Sequence, residues 1–309
     1  MKRGISALLV LAMVVGSTSL LADTGVLVHK KDGKTTFFPY SNVEYIEFVD
    51  DYTPEDPEIP GNDPSVDPPN DEDNSVPEIY TYPLSYVKLP ESTPQQVKEY
   101  TGFTVNYNKD NHTPNYVAWE LLQTETTGST SRQNNYWVDK GMEGCLSTDY
   151  AYSTYKYERG HMCPAADQKW SDAAMKDCMV MTNMCPQLSS LNGGIWSKLE
   201  DKERSWAARD GAIWIVAGPL YSESDTLYVG DAQARVASSY FKAFLYIDTV
   251  EPRAIAFVFQ NGSNPGNIQD YAMSIDDLEA LTGYDFFPSL PDEIENVVEA
   301  KYNYSSWDN

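Results

Sequence analysis

Histidine and positive charge are what this 309-residue chain has least of. Three histidines, His29, His112 and His161, serve its whole length, and 22 lysines and arginines face 46 aspartates and glutamates, a formal net charge of −24. So acidic a chain excludes long-range capture of a polyanion, and any recognition of phosphate must come from a local group of cations. The acidity is uneven: residues 1–78 carry 15 acids and 5 bases, which leaves 31 acids against 17 bases for residues 79–309. Cysteine is sparse as well. Cys145, Cys163, Cys178 and Cys185 include no C-x2-C pair, which speaks against a zinc ribbon. The apolar run near the start, Ala7 to Val15, is too short to span a bilayer comfortably. What is present is 41% hydrophobic and 13% aromatic, enough for a sizeable core.

Composition divides the chain into four. Met1 to Ala22 reads as an export signal, with Lys2 and Arg3 ahead of the apolar run and Gly16-Ser17-Thr18-Ser19 after it. It predicts an exported protein, periplasmic or extracellular, cleaved after Ala22 and with no stable membrane insertion afterwards. Residues 23–49 alternate as strands do on either side of Asp32-Gly33, a hairpin signal, and predict a small β appendage. Residues 50–78 hold eleven acids, seven prolines and no base. Self-repulsion and proline stiffness predict an extended linker there.

Residues 79–309 are expected to form one domain. Strands are predicted at Tyr116–Leu122, Gly211–Pro219, Tyr240–Ile247 and Ala254–Phe259, the last two as neighbours. Helices are predicted at Ser171–Asp177, Leu191–Asp210, Ser274–Thr282 and Asp292–Ala300. Ser274 serves as a cap and Gly283 as a stop. Strands and helices mix without strict alternation, so the class is α+β, with a mainly antiparallel central sheet flanked by helices.

The chemistry gathers in two segments. Tyr157 to Asp167 holds Glu158-Arg159-Gly160-His161, and Arg159 and His161, two apart, share one face of a strand. Histidine can act as base and acid near neutral pH, and a fixed cation beside it suits attack on an anionic centre. Gly160 permits close backbone approach. In the second segment Asn192, Trp196, Glu200 and Arg204 follow at four-residue steps, a slanting stripe on one helix face. Asn192 offers a hard amide oxygen suited to Mg2+, Glu200 can hold the ion's waters, and Arg204 can bind phosphate while pairing with Glu200. An ordinary amphipathic helix carries the same spacing. Lys156, Arg159, Lys198, Lys202, Arg204 and Arg209 are the cations available around this site. The four cysteines all fall within 41 residues of one another. In an exported chain their even count predicts two disulfides, in one of three connectivities, stapling these segments.

Glu158-Arg159-Gly160-His161 followed by Pro164-Ala165-Ala166-Asp167 resembles the D-R-G-H-x-x-P-A-A-D signature of the DNA/RNA non-specific endonucleases, the ββα-metal (His–metal finger) family. Thr182 to Gln187 resembles that family's T-N-x-x-P-Q, Leu191 to Glu200 its L-N-x-x-x-W-x-x-L-E, and Ala217 to Tyr221 its T-G-P-x-Y. Phe241-Lys242, Ala254 to Phe257 and Leu281 to Pro288 follow in the same order. The resemblance runs from about Tyr100 to Ala300. It implies a ββα catalytic motif, His161 as general base and Asn192 as the one direct protein ligand of Mg2+, or of Mn2+ in its place. Arg159 and Arg204 would hold phosphate, Glu200 would orient metal-bound water, and Asn183 would support the base. Arg132 and Lys198 complete the expected substrate contacts. The implied reaction is hydrolysis of the P–O3′ bond of DNA and RNA, leaving 5′-phosphate ends. One departure stands out: Glu158 occupies the position of an aspartate, a methylene longer. Cys163 and Cys185 replace smaller residues, and a bond between them would clamp the base segment to Asn183.

Two other functions are open to such a chain. One is a catalytically silent module that binds nucleic acid or a partner through the same groove; the His161, Asn192, Glu200 and Arg204 set speaks against it, because a binder needs no base. The other is a phosphodiesterase for a different diester. The oligomeric state is open, a homodimer included.

Overall fold

A computed structural model describes residues 25–29, 35–39, 86–145, 157–230, 233–247 and 252–308. The export signal, the acidic linker, the Asp32-Gly33 turn and Lys156 lie outside the described residues. The chain forms two compact units, Met1–Thr81 and Tyr82–Asn309. In the first, β1 (Gly25–His29) and β2 (Thr35–Pro39) pair antiparallel, His29 opposite Thr35, as the alternation around Asp32-Gly33 predicts.

The second unit begins with β3 (Val87–Lys88), β4 (Gln96–Glu99), β5 (Thr104–Asn108), β6 (Thr113–Leu122) and β7 (Glu158–His161). Helix α1 (Asp172–Asp177), β8 (Met184–Gln187), α2 (Ser197–Asp210), β9 (Ala212–Leu220), β10 (Tyr228–Val229) and β11 (Ala234–Arg235) follow. The chain continues through β12 (Ser239–Tyr246), β13 (Arg253–Gln260), β14 (Ala272–Met273), α3 (Ile275–Thr282), β15 (Asp285–Phe286), α4 (Asp292–Val298) and α5 (Tyr304–Asp308). Seven strands build a central antiparallel sheet in the order β14-β13-β12-β9-β6-β5-β4. The fold is α+β with a mainly antiparallel sheet, and β12 and β13 are neighbours, as their alternation predicts.

Both faces of that sheet are covered. Val117, Trp119 and Leu121 of β6, with Tyr240 and Phe244 of β12, pack with Trp196, Leu199 and Trp206 in one core. Ala118, Phe241, Ala243 and Leu245 point the other way, into a second core with Leu278 of α3 and Phe286. The alternation of a pleated strand therefore divides the chain between two cores. Trp307 of α5 is fully buried and closes the first, its ring 5.0 Å from that of Trp206. Ser274 caps α3 by accepting from Asp277 N at 3.1 Å, and Gly283 ends it at φ 69°, the left-handed turn that glycine allows.

Two expectations are corrected here. The helical segment Leu191–Trp196 does not run smoothly into α2. Gly194 sits at φ −105°, ψ −120°, so the stripe from Asn192 to Arg204 is broken between its first member and the rest. The expected disulfides are also absent: Cys145, Cys163, Cys178 and Cys185 are all free and buried. Register explains why Cys163 and Cys185 stay apart. Cys185 lies opposite Gly160, and the next rung, Met162 N to Asn183 O at 3.0 Å, puts Cys163 level with Thr182. An offset of three residues is about 10 Å along a strand, whereas disulfide-bonded Cα atoms lie about 4.4–6.8 Å apart. Cys163 Sγ instead accepts from Gln168 Nε2, and Cys178 Sγ donates to Met175 O.

Candidate active site

Strands β7 and β8 form a two-stranded ladder separate from the central sheet, with Arg159 opposite Pro186 and His161 opposite Met184. Gly160 is required by what lies behind it. A Cβ there would meet the buried Gln187 side chain at 2.1–2.5 Å, so β7 lies this close to it with glycine at 160. The turn after His161 is fixed by Asn183, which is fully buried. Its Oδ1 accepts from Cys163 N at 2.9 Å, and its Nδ2 donates to the Cys163 and Cys178 carbonyls, each at 2.9 Å. All of these bonds are to backbone. Asn183 thus fixes the main chain of the turn that follows His161.

His161 is 6% exposed, and its Nε2 is buried with no hydrogen-bond partner. Burial, with Arg132 and Arg159 nearby, pushes the imidazole down to about 3, against a hydrogen bond to the Arg159 backbone that favours the charged form. The ring is therefore neutral at ordinary pH, with a lone pair available on Nε2. Arg159 and His161 share a strand face, as their spacing predicts, and Tyr136 meets both. The Arg159 guanidinium carbon lies 3.7 Å from the Tyr136 ring centroid, and the His161 ring lies 6.0 Å from it. Arg132, four residues before Tyr136, is exposed and close enough to shift the titration of both His161 and Glu200.

Asn192, half-buried, donates from Nδ2 to Glu158 Oε2 at 2.7 Å. The longer acid at position 158 therefore reaches across and fixes the amide. With Nδ2 committed, the hard Oδ1 is the end left for a cation. Glu200, half-buried on α2, has its carboxyl pushed up to about 7, chiefly by burial and with Asp167 adding to it; Lys242, Arg204 and Arg132 pull the other way. Such a donor set fits a small hard cation that takes few protein ligands and keeps its waters. Among the described residues the one cluster of three or more acidic, histidine or cysteine side chains spaced for a metal lies elsewhere, at Asp276, Glu279 and Glu299.

Arg204 does not pair with Glu200. Its Nη1 donates to Asp167 at 2.9 Å and its Nη2 to Asp201. Asp167 is fully buried and also accepts from Trp119 Nε1 at 3.1 Å, so the closing aspartate of the P-A-A-D motif anchors an arginine. Lys198 leaves α2 on a different side from Glu200. Two residues before Glu200 it lies about 200° around the helix, and it lines a depression with Lys202, Ile268 and Tyr304. Lys202 pairs with Asp308, and Arg209 with Asp210 and the Trp307 carbonyl. The positive charge near His161 is thus Arg132 and Arg159, and Arg204 lies beside Glu200. Beneath it lies a pair that spacing alone did not single out. Lys242 of β12, fully buried, donates to Glu203 at 2.9 and 2.6 Å and sits 5.3 and 5.0 Å from the Trp119 and Trp196 ring centroids. The available signal was a lysine on the inward phase of an otherwise apolar strand.

Two strands and a helix that bring an imidazole with an unpartnered Nε2, arginines and a free amide oxygen together define a ββα phosphodiester hydrolase. The particular family follows from comparison. The sequence profile of the DNA/RNA non-specific endonucleases matches residues 81–293, and the chain belongs to that family of metal-dependent, phosphodiester-hydrolysing nucleases. It is 32% identical over 211 residues to a nuclease of Nostoc sp., an alignment spanning 64% of this chain and 76% of that protein. It is 30% identical over 244 residues to the mitochondrial nuclease EXOG of Xenopus laevis, covering 74% of this chain and 66% of that protein. Among solved structures, a chain of the EndoG/EndoGI inhibition complex shares the fold, with a TM-score of 0.58 at 20% identity over 64% of this chain and 88% of that one.

Proposed function

We propose that this chain is an exported endonuclease that hydrolyses the P–O3′ bonds of DNA and RNA, with His161 as general base and Mg2+, or Mn2+, held by Asn192. The observation that carries this reading is the His161 Nε2, buried and unpartnered among arginines at the end of β7. A water positioned there loses its proton to Nε2 as its oxygen attacks phosphorus, and the 3′ oxygen departs and is protonated in turn. Arg159, Arg132 and Arg204 take up the phosphate charge. Glu200 and Asn192 would hold the cation, which when bound stabilises charge on the phosphate oxygens. Asn183 and Gly160 keep the base where it is. Export rests on Met1 to Ala22, and residues 23–49 and 50–78 are read as an appendage and a spacer ahead of the nuclease domain, residues 79–309.

Plasmid DNA and single-stranded RNA should both be cut in the presence of Mg2+, with 5′-phosphate ends, and the cutting should stop on chelation. Intact polymers at micromolar enzyme overturn the proposal. The excess of acids over bases outside residues 1–78 favours a second reading, a phosphodiesterase for a small diester. A chromogenic diester cleaved faster than either polymer would select it.

The contact between Glu158 and Asn192 supports a further expectation. Glu158→Ala releases the amide that its carboxylate orients, and partners of a metal ligand are worth about 10–100-fold in metal affinity. The Mg2+ concentration for half-maximal cutting should rise by that factor, with a smaller change in rate at saturating Mg2+. An unchanged Mg2+ dependence would show that Glu158 serves only to hold the loop.

A further inference from the structure

Three acids meet where α3 and α4 come together, away from His161. Asp276 and Glu279 sit one turn apart on α3, and Glu299 follows the last residue of α4. The two backbones are joined there by Asp276 N donating to Glu299 O at 3.2 Å. One carboxylate oxygen of each acid lies within 4.8 Å of the other two. Acids clustered on a surface need no cation, but Glu299 is not on the surface. It is 4% exposed, and its Oε1 is buried with no hydrogen-bond partner. A buried oxygen in that condition costs about 1–3 kcal/mol, and more when charged.

Charge makes the position worse. Burial, together with Glu279, Glu295, Asp276 and Asp285, pushes the Glu299 carboxyl up to about 9. Glu279 is raised as well, although its Oε1 accepts from Phe286 N at 2.7 Å. Lys88 pairs with Asp285 at 3.9 Å, and among the described residues Asp276, Glu279 and Glu299 form no ion pair.

We propose that Asp276, Glu279 and Glu299 form a second cation site, distinct from the active site, that takes a hard divalent ion of the size of Ca2+. The ligands are all carboxylate oxygens, which suit Ca2+ over transition metals. Three carboxylates around one ion suit Ca2+, which takes six to eight oxygens in flexible geometry, better than Mg2+, which keeps several waters and takes one or two carboxylates. Asp276 is exposed, so water can complete the six to eight positions Ca2+ prefers. A bound ion would satisfy Glu299 and clamp the start of α3 to the end of α4, which together cover the second core.

Thermal unfolding of the chelated full chain, followed during CaCl2 titration, tests this. The wild type should gain several degrees in Tm. Asn192→Ala should keep that gain, because the active site is not its source. The pair Glu279→Gln/Glu299→Gln should lose it. No Ca2+-dependent shift in the wild type, or an equal shift in the double variant, overturns the proposal. So does a double variant that already melts higher than the chelated wild type when the wild type ignores Ca2+, since Glu299 then simply carries a proton. Should the double variant fail to fold, Asp276→Asn decides by calorimetric titration. Loss of one exposed ligand should weaken Ca2+ binding at least tenfold with Mg2+-dependent nuclease activity unchanged, and an unaltered affinity overturns the site. A larger Tm gain with Mg2+ than with Ca2+ overturns the assignment of the ion.

Discussion

His161→Ala should lower the rate of phosphodiester cleavage by about 10²–10⁴-fold, the usual contribution of a positioned general base, and leave the fold intact. The imidazole is buried, its Nε2 makes no hydrogen bond, and the β7–β8 ladder is held by backbone pairing and by Asn183. Its loss removes an unsatisfied polar atom, so the stability change should be small beside the change in rate. Acid stability should respond too. The folded-state pKa of His161, about 3, lies below the unfolded value near 6.5, so the unfolded chain binds the proton more readily and stability falls as pH drops from about 6.5 towards 3. Removing the ring should flatten that fall in a denaturant series run without metal. A variant that cuts at the wild-type rate would move the role of base to another group.

The largest stability effect is expected one layer below, at Lys242. Lys242→Met leaves Glu203 fully buried without its counter-charge, and breaking one side of a buried pair costs about 3–5 kcal/mol. In a domain of this size each kcal/mol shifts Tm by roughly 2–4 °C, so a drop of about 6–20 °C should appear in thermal unfolding. Replacing both partners, Lys242→Met with Glu203→Leu, should recover much of the loss, because neither charge is then stranded. If the single and double variants melt alike, the pair is not held as two charges. The lysine also reaches the chemistry. It opposes the burial that raises Glu200, so without it Glu200 should protonate more readily and activity near pH 7 should fall further than stability alone explains.

Much of this architecture is legible in the residues because it is local. The alternation of Tyr240 to Tyr246 and of Arg253 to Gln260 sets strand faces directly, and Ser274 and Gly283 bracket α3 by their own backbone chemistry. Arg159 and His161 share a face because a strand repeats every two residues. What failed to read was whatever depended on a partner far along the chain. The i,i+4 spacing offers Arg204 to Glu200, yet Asp167, 37 residues earlier, claims it. Lys242 looks like a flaw in an apolar strand until Glu203 and two tryptophans are placed around it. An even count of four cysteines behind an export-like leader suggests crosslinks, and a three-residue offset in register keeps Cys163 from Cys185.

The sequence by itself determined the class of fold and the family, because periodicity and contiguous motifs are properties of neighbouring residues. Only the tertiary structure decided the pairing: Glu158 with Asn192, Arg204 with Asp167, Glu203 with Lys242, and Lys198 turned away from Glu200. Those choices are made by which charges lose their water together in the packed core, a quantity that exists only once the sheet, the β7–β8 ladder and α2 have met.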